Sequence, residues 1–449
     1  MLSLALALGF PTPAFAHAHL KRSDPASGSR VSTIAFIRLW FTERPELSLT
    51  AITVKNADGR EFRTLPGAVD PADPLQVSFQ ITYALPPGKY TVAWRTSASD
   101  GHPSRGTFSF VVLDAPTQQV IVASPTDTTN PSNAATTIAD SSVSATMPDA
   151  SVTGHSLIRA TEFIALLALV GAVAFCLVVL PRVSTIDAAV RATMERRAVG
   201  LGIAATALVV LSAMVHLVLV SEMANAMSGT HAMTSTEMAM HTLWGNALRL
   251  QIVAAVVVFA GLIVTLRGIR SGWLVAGIGT LIVAVTPALS GHAGASPRFS
   301  SLMIVNDFLH VIAGGVWLGT LLCILAIGIP VAFRRNETGR WLTVASMVNV
   351  FSPIALTAAS VVVVSGVLAS WVHLEHLSAL WQSRYGQMLL RKLLFVAVVI
   401  LAGAYNYKRI QPQLTREHGV AQLRRSALLE LAAGFAVLIF TGFLTGIDP

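Results

Sequence analysis

LIRATEFIALLALVGAVAFCLVVL, residues Leu157–Leu180, carries two charges near its start, Arg159 and Glu162, and then runs apolar to its end. A stretch of that length and hydropathy can cross the hydrocarbon core of a bilayer as one α-helix. Seven further apolar runs follow: Ala198–Val220, Gly245–Leu266, Trp273–Leu289, Leu302–Phe333, Val350–Val372, Met388–Tyr407 and Ser426–Leu444. Residues 155–449 therefore read as an all-α polytopic membrane domain of eight helices. The fifth run is over-long and is expected to extend past the membrane at one end. A mean hydropathy of +0.64 and a charged share of only 12% agree with this reading.

Upstream the character of the chain changes. Ala14-Phe15-Ala16 closes an apolar run, Leu2–Phe10, in the pattern of a signal-peptidase site, so residues 1–16 read as a signal peptide. Cleavage after Ala16 makes His17 the first mature residue, puts residues 17–154 outside and sends the first helix inward. Loops expected inside then hold Arg182, Arg196, Arg197, Arg267, Arg334, Arg335, Lys408 and Arg409, whereas those outside hold only Arg298 and Arg384. That asymmetry is the positive-inside pattern. The formal net charge of +8 thus marks membrane topology and makes no case for nucleic acid.

Between His17 and Leu113 the apolar period is two. Val77, Phe79, Ile81 and Tyr83 alternate with polar residues, as do Tyr90, Val92 and Trp94, and Phe108, Phe110 and Val112. Alternation of this kind predicts half-buried strands. Asn56-Ala57-Asp58-Gly59 and Pro86-Pro87-Gly88 punctuate them, and the whole suggests a small antiparallel β-sandwich. Residues 114–154 are rich in Ser, Thr, Ala, Pro and Asp without an apolar period and read as a disordered linker. Cys176 and Cys323 both fall in apolar runs, so the sandwich has no disulfide and must fold on its core.

A free amino-terminal histidine offers a metal ion its α-amine and ring Nδ1 together, a chelate that no internal histidine can form. Asp100 and His102, two apart on extended backbone, point the same way and could add an oxygen and a third nitrogen. Tetragonal N,O ligation suits Cu(II). His17-Ala18-His19, Ser23-Asp24-Pro25-Ala26-Ser27-Gly28, Ser99-Asp100-Gly101-His102-Pro103 and Gly106-Thr107-Phe108-Ser109-Phe110 resemble the periplasmic copper carrier family CopC. The resemblance implies an immunoglobulin-like sandwich and a Cu(II) site on His17, Asp100 and His102. No Met lies between His17 and Asp114, which argues against the Met-rich Cu(I) site of some members.

In the membrane domain His155, His216, His231, His241, His292, His310, His373 and His376 all fall toward the outer side, and only His418 lies inside. Met223, Met227, Met233, Met238 and Met240 crowd one outer loop with His231 and His241. Thioethers favour Cu(I), and imidazole accepts either copper state; Met can equally serve as apolar filler on a short amphipathic helix. Charges inside spans mark function by default. Asp307 and His310 share a helical face and could make a site in which Asp307 orients the ring. Alternatively Asp307 pairs with Arg249 or Lys392. Glu430 is expected to be neutralised by Arg424 or Arg425, and paired histidines at matched depth are not expected.

Gly291-His292-Ala293, Asp307-x-x-His310 leading into Gly314-Gly315-Val316-Trp317-Leu318-Gly319, Tyr385-Gly386-Gln387 with Lys392, Ala404-Tyr405-Asn406, and Arg424-Arg425 with Glu430 resemble the copper resistance family CopD. The pair of resemblances implies a CopC–CopD fusion in the bacterial inner membrane, with the sandwich on the periplasmic side. The function expected is copper capture and transport, in the direction of import. Copper ion, the bilayer and other periplasmic copper carriers are the expected partners, and no enzymatic step is expected. Two other classes compete: a copper-dependent oxidative enzyme using a histidine brace, and a membrane redox protein holding haem between histidines.

Overall fold

The computed structural model describes residues 19–97, 103–114, 149–228, 234–291, 300–334, 337–374, 376–414 and 417–445. They form two compact units, one of strands and one of helices.

The first unit is a two-sheet sandwich. One sheet orders β1 (Leu20–Asp24), β3 (Phe36–Phe41), β7 (Asp73–Gln80) and β6 (Ala68–Asp70) as β1-β3-β7-β6. The other orders β2 (Arg30–Val31), β9 (Pro103–Val112), β8 (Gly88–Ser97), β4 (Ala51–Asn56) and β5 (Glu61–Phe62) as β2-β9-β8-β4-β5. All pairings are antiparallel except β2 with β9. Alternate residues fill the space between the sheets: Ile37, Leu39 and Phe41 from β3, Val77 and Phe79 from β7, Tyr90, Val92 and Trp94 from β8, and Phe108 and Phe110 from β9. The period of two thus becomes one core with polar residues outside.

Tyr83 departs from the expected alternation and is 76% exposed. The β3–β7 ladder ends at Phe36 and Gln80, Ile81 adds an isolated bridge to Thr64 and Thr82 a last bond to Arg63, so Tyr83 lies just past the paired stretch. At the corner before β8, the Tyr90 hydroxyl donates to the Pro86 carbonyl at 2.7 Å. This is the tyrosine corner of immunoglobulin-like sandwiches. Burial pushes the Tyr90 phenol above its ordinary 10.0.

The second unit contains eight helical segments long and apolar enough to span a membrane: Thr153–Arg182, Ala188–Glu222, Leu243–Leu266, Gly272–Leu289, Ser301–Ala332, Gly339–Val372, Arg384–Gln413 and Gly419–Leu444. They are the first to eighth spans below. The first span is the hub, with 78% of its apolar window buried, against 17% for the sixth and seventh. Its helix begins at Asp149, inside the stretch expected to be linker up to residue 154. Residues ahead of an apolar helix join it by propagation, which costs far less than nucleating a helix of their own. The over-long fifth run is one helical segment of 32 residues, Ser301–Ala332, that contains two π-helical turns, Gly315–Gly319 and Ile324–Gly328. Its first π turn lies on the first span, where a Cβ added to Gly171 or Gly319 would collide with the partner helix's backbone.

Candidate metal centres

At one end of the sandwich, the His19 amide donates to Thr42 Oγ1 at 3.0 Å, and the Thr42 amide returns a bond to the His19 carbonyl at 2.9 Å. Four residues on, the Glu46 amide donates to the Ser97 carbonyl at 2.8 Å, and Ser97 pairs with Pro103. Phe41, next to Thr42, meets Trp94 edge to face across the core with centroids 5.6 Å apart. The start of β1 and the paired ends of β8 and β9 therefore share one end of the sandwich. His17, Asp100 and His102 are sequence neighbours of these anchors and lie outside the described residues.

The Met-rich stretch is only partly a loop. The helix Ala188–Ser228 runs through Met223 and Met227, and a second helix, Ser235–His241, follows. Thr234 caps that helix: its hydroxyl accepts from the Glu237 amide, and the Glu237 carboxylate accepts from the Thr234 amide at 2.8 Å. Those bonds hold the Glu237 carboxyl below its usual value. Met238 is buried, which is the filler role, whereas Met240 and His241 are exposed. Met240 Sδ lies 3.6 Å from Arg249 Nη1, and Arg249 also donates to Asn246. His231, Met233 and His292 lie outside the described residues.

His310 and Asp307 stand on the fifth span as expected, but the ring is tied elsewhere. His310 Nδ1 is 2.8 Å from Ser365 Oγ of the sixth span, and Asn306 Nδ2 donates to the Ser365 carbonyl at 3.1 Å. Packing of the fifth span on the sixth puts this hydroxyl at the ring nitrogen, a neighbour that helix spacing cannot reveal. Glu430 is likewise tied differently from expectation. It is buried and accepts from Trp317 Nε1 and Asn406 Nδ2, each at 2.9 Å. Arg424 and Arg425 lie on other faces of its helix, and two neutral donors from the fifth and seventh spans take their place. Both donors sit on π-helical turns, Gly315–Gly319 and Asn406–Ile410.

Paired histidines, which the spacing did not lead one to expect, are present. His155 of the first span and His216 of the second are buried with ring centroids 4.4 Å apart at 82°. Trp244 of the third span meets His216 at 5.2 Å. Along the first span, Arg159 and Glu162 continue the face of His155. Arg159 Nη1 donates to Glu162 Oε2 at 3.1 Å, and Gln251 Nε2 of the third span donates to Glu162 Oε1 at 2.8 Å. The spacing of His155, Arg159 and Glu162 at i, i+4 and i+7 was the available signal. Among the described residues, no group of three or more His, Cys, Asp or Glu converges on a metal-sized site.

Axial imidazoles on one haem iron face each other in line, which with a metal–nitrogen bond of about 2 Å sets their centroids about 6 Å apart. At 4.4 Å, His155 and His216 are too close to hold a porphyrin between them.

The CopC domain family matches residues 20–113, the family "Copper resistance protein D-like, N-terminal domain" residues 147–297, and the family "Copper resistance protein D" residues 345–444. The Copper resistance protein C of Xanthomonas campestris pv. juglandis is 35% identical over 104 residues, 22% of this chain and 82% of that protein. The chain belongs to the CopC–CopD copper resistance family. The Copper transport protein CutJ of Bacillus subtilis (strain 168) is 26% identical over 447 residues, 97% of this chain and 75% of that protein. The crystal structure of PcoC, a methionine-rich copper resistance protein from Escherichia coli, is 29% identical over 22% of this chain and 99% of its own, with a TM-score of 0.20.

The CopC match covers the sandwich and includes Asp100 and His102. The CopD-like amino-terminal match holds His155, His216, Trp244 and Gln251, and the CopD match holds Ser365, Asn406 and Glu430. The protein is thus a multi-pass membrane member of a copper-handling family.

Proposed function

We propose that this CopC–CopD chain captures Cu(II) outside the bacterial inner membrane and passes copper inward through its helices, as a permease and without an enzymatic step. Cleavage after Ala16 frees the amine of His17. That amine, the His17 ring, Asp100 and His102 hold Cu(II), which arrives free or from other periplasmic carriers. His310, with Asp307, and the outer His292, Met223, Met227, His231, Met233, Met240 and His241 are the candidate ligands in the membrane domain.

One observation carries this reading: a CopC sandwich and eight candidate spans are parts of one polypeptide. A capture domain joined to its own membrane domain delivers cargo at high effective concentration. The likeness to a protein named for copper transport, over 97% of the chain, supports the same conclusion. The test is cellular copper measured with and without the intact gene at controlled copper supply. Copper falling on deletion is the expected result, and rising copper overturns import.

A further inference from the structure

His155, His216 and Trp244 have no place in the capture site, and Cu(II) ligation on the sandwich does not need them. We propose that His155 and His216 form a copper-binding station, two imidazoles side by side on one ion, at the head of a buried polar seam between the first three spans. This rests on the copper-transport reading above.

Location comes first. His155 lies near the start of the first span, His216 near the end of the second and Trp244 near the start of the third, so all three share one membrane face. Both imidazoles are 3% exposed. Ionisable groups buried inside spans mark ion paths by default.

Geometry comes second. With a metal–nitrogen bond of about 2 Å, ligands at right angles have ring centroids about 4.5 Å apart. The observed separation is 4.4 Å. The ring separation is thus the one that joint ligation at right angles requires. Trp244, packed on His216, closes one side of the pair. Imidazole suits copper in either state, and two protein ligands leave coordination positions open, which favours release over storage.

Continuity comes third. Glu162, seven residues beyond His155, lies about 10 Å deeper along the helix. It is 3% exposed and engaged by Arg159 and Gln251. The seam therefore stays polar below the station, with the Glu162 charge balanced by Arg159.

The test uses the purified full chain loaded anaerobically with Cu(I) against a competing chelator, and whole cells for uptake. The variants are His155→Gln, His216→Gln and the double substitution, each compared at equal membrane abundance. The double variant should lose one bound copper and reduce uptake to the level of cells without the gene, while the Cu(II) spectrum of the sandwich is unchanged. X-ray absorption of the wild type should show the imidazole contribution that the variants lack. If the double variant misfolds, either single variant that inserts normally should lose the same bound copper. Unchanged copper stoichiometry in an inserted variant overturns the station. A wild-type chain that binds this copper but moves none overturns the transport reading and leaves the station standing.

Discussion

His17 is a bidentate ligand only while its amine is free. Adding one residue before it, or retaining the signal peptide, removes the chelate and should weaken Cu(II) binding by several orders of magnitude in a chelator competition. His102→Ala should cost one nitrogen in the Cu(II) spin-resonance spectrum, and Asp100→Ala should disturb it less. An unaltered spectrum after His102→Ala would reduce that segment to a turn. Tyr90 acts on stability instead. Tyr90→Phe removes its bond to Pro86 and should cost the sandwich about 1 kcal/mol in denaturant unfolding. Its raised phenol value means the folded state resists ionisation, so this share of stability is full below pH 10.0 and lost as pH rises above it. Tyr90→Phe should flatten that alkaline fall. Gly106 shows a residue choice made by packing: a Cβ there would meet Trp94 Cζ2 at 2.7 Å.

At the scale of elements, spans and strands were legible because their signals are local. Alternation in β3, β7, β8 and β9 and apolar length in the eight spans depend only on a residue's near neighbours in the chain. The π turns were not legible, since a π turn is stabilised by what it meets. Gly315–Gly319 lets the fifth span press on Gly171 and turns Trp317 toward Glu430. Small residues at such a crossing let backbones approach closely. Gly319→Leu should therefore separate the first and fifth spans, lower the melting temperature in detergent and reduce membrane abundance. Gly154→Ala, where an added Cβ meets nothing within 4 Å, should change neither. The Met-rich stretch shows the opposite limit. Composition there left a loop of ligands and a short amphipathic helix both open, and the Thr234–Glu237 cap starts a helix that buries Met238.

At the scale of the whole molecule, the sandwich has a buried core of its own, drawn among the described residues from Ile37 to Val112, with Leu20, Val31 and Ile34 packed against it. Expressed alone, residues 17–113 should fold cooperatively and bind one Cu(II), as read by circular dichroism and spin resonance. A fragment that stays unfolded would make the sandwich dependent on the membrane domain. The sequence by itself determined two domain types, the number of spans and the copper family, because period, apolar length and short motifs are written in consecutive residues. Which buried groups meet was decided only by tertiary packing. His155 and His216 are sixty-one positions apart in the chain, Glu162 and Gln251 eighty-nine, and Trp317 and Glu430 one hundred and thirteen. No local pattern encodes such partners, since each contact depends on which faces of two helices turn toward each other, and that choice minimises the packing energy of all eight spans together.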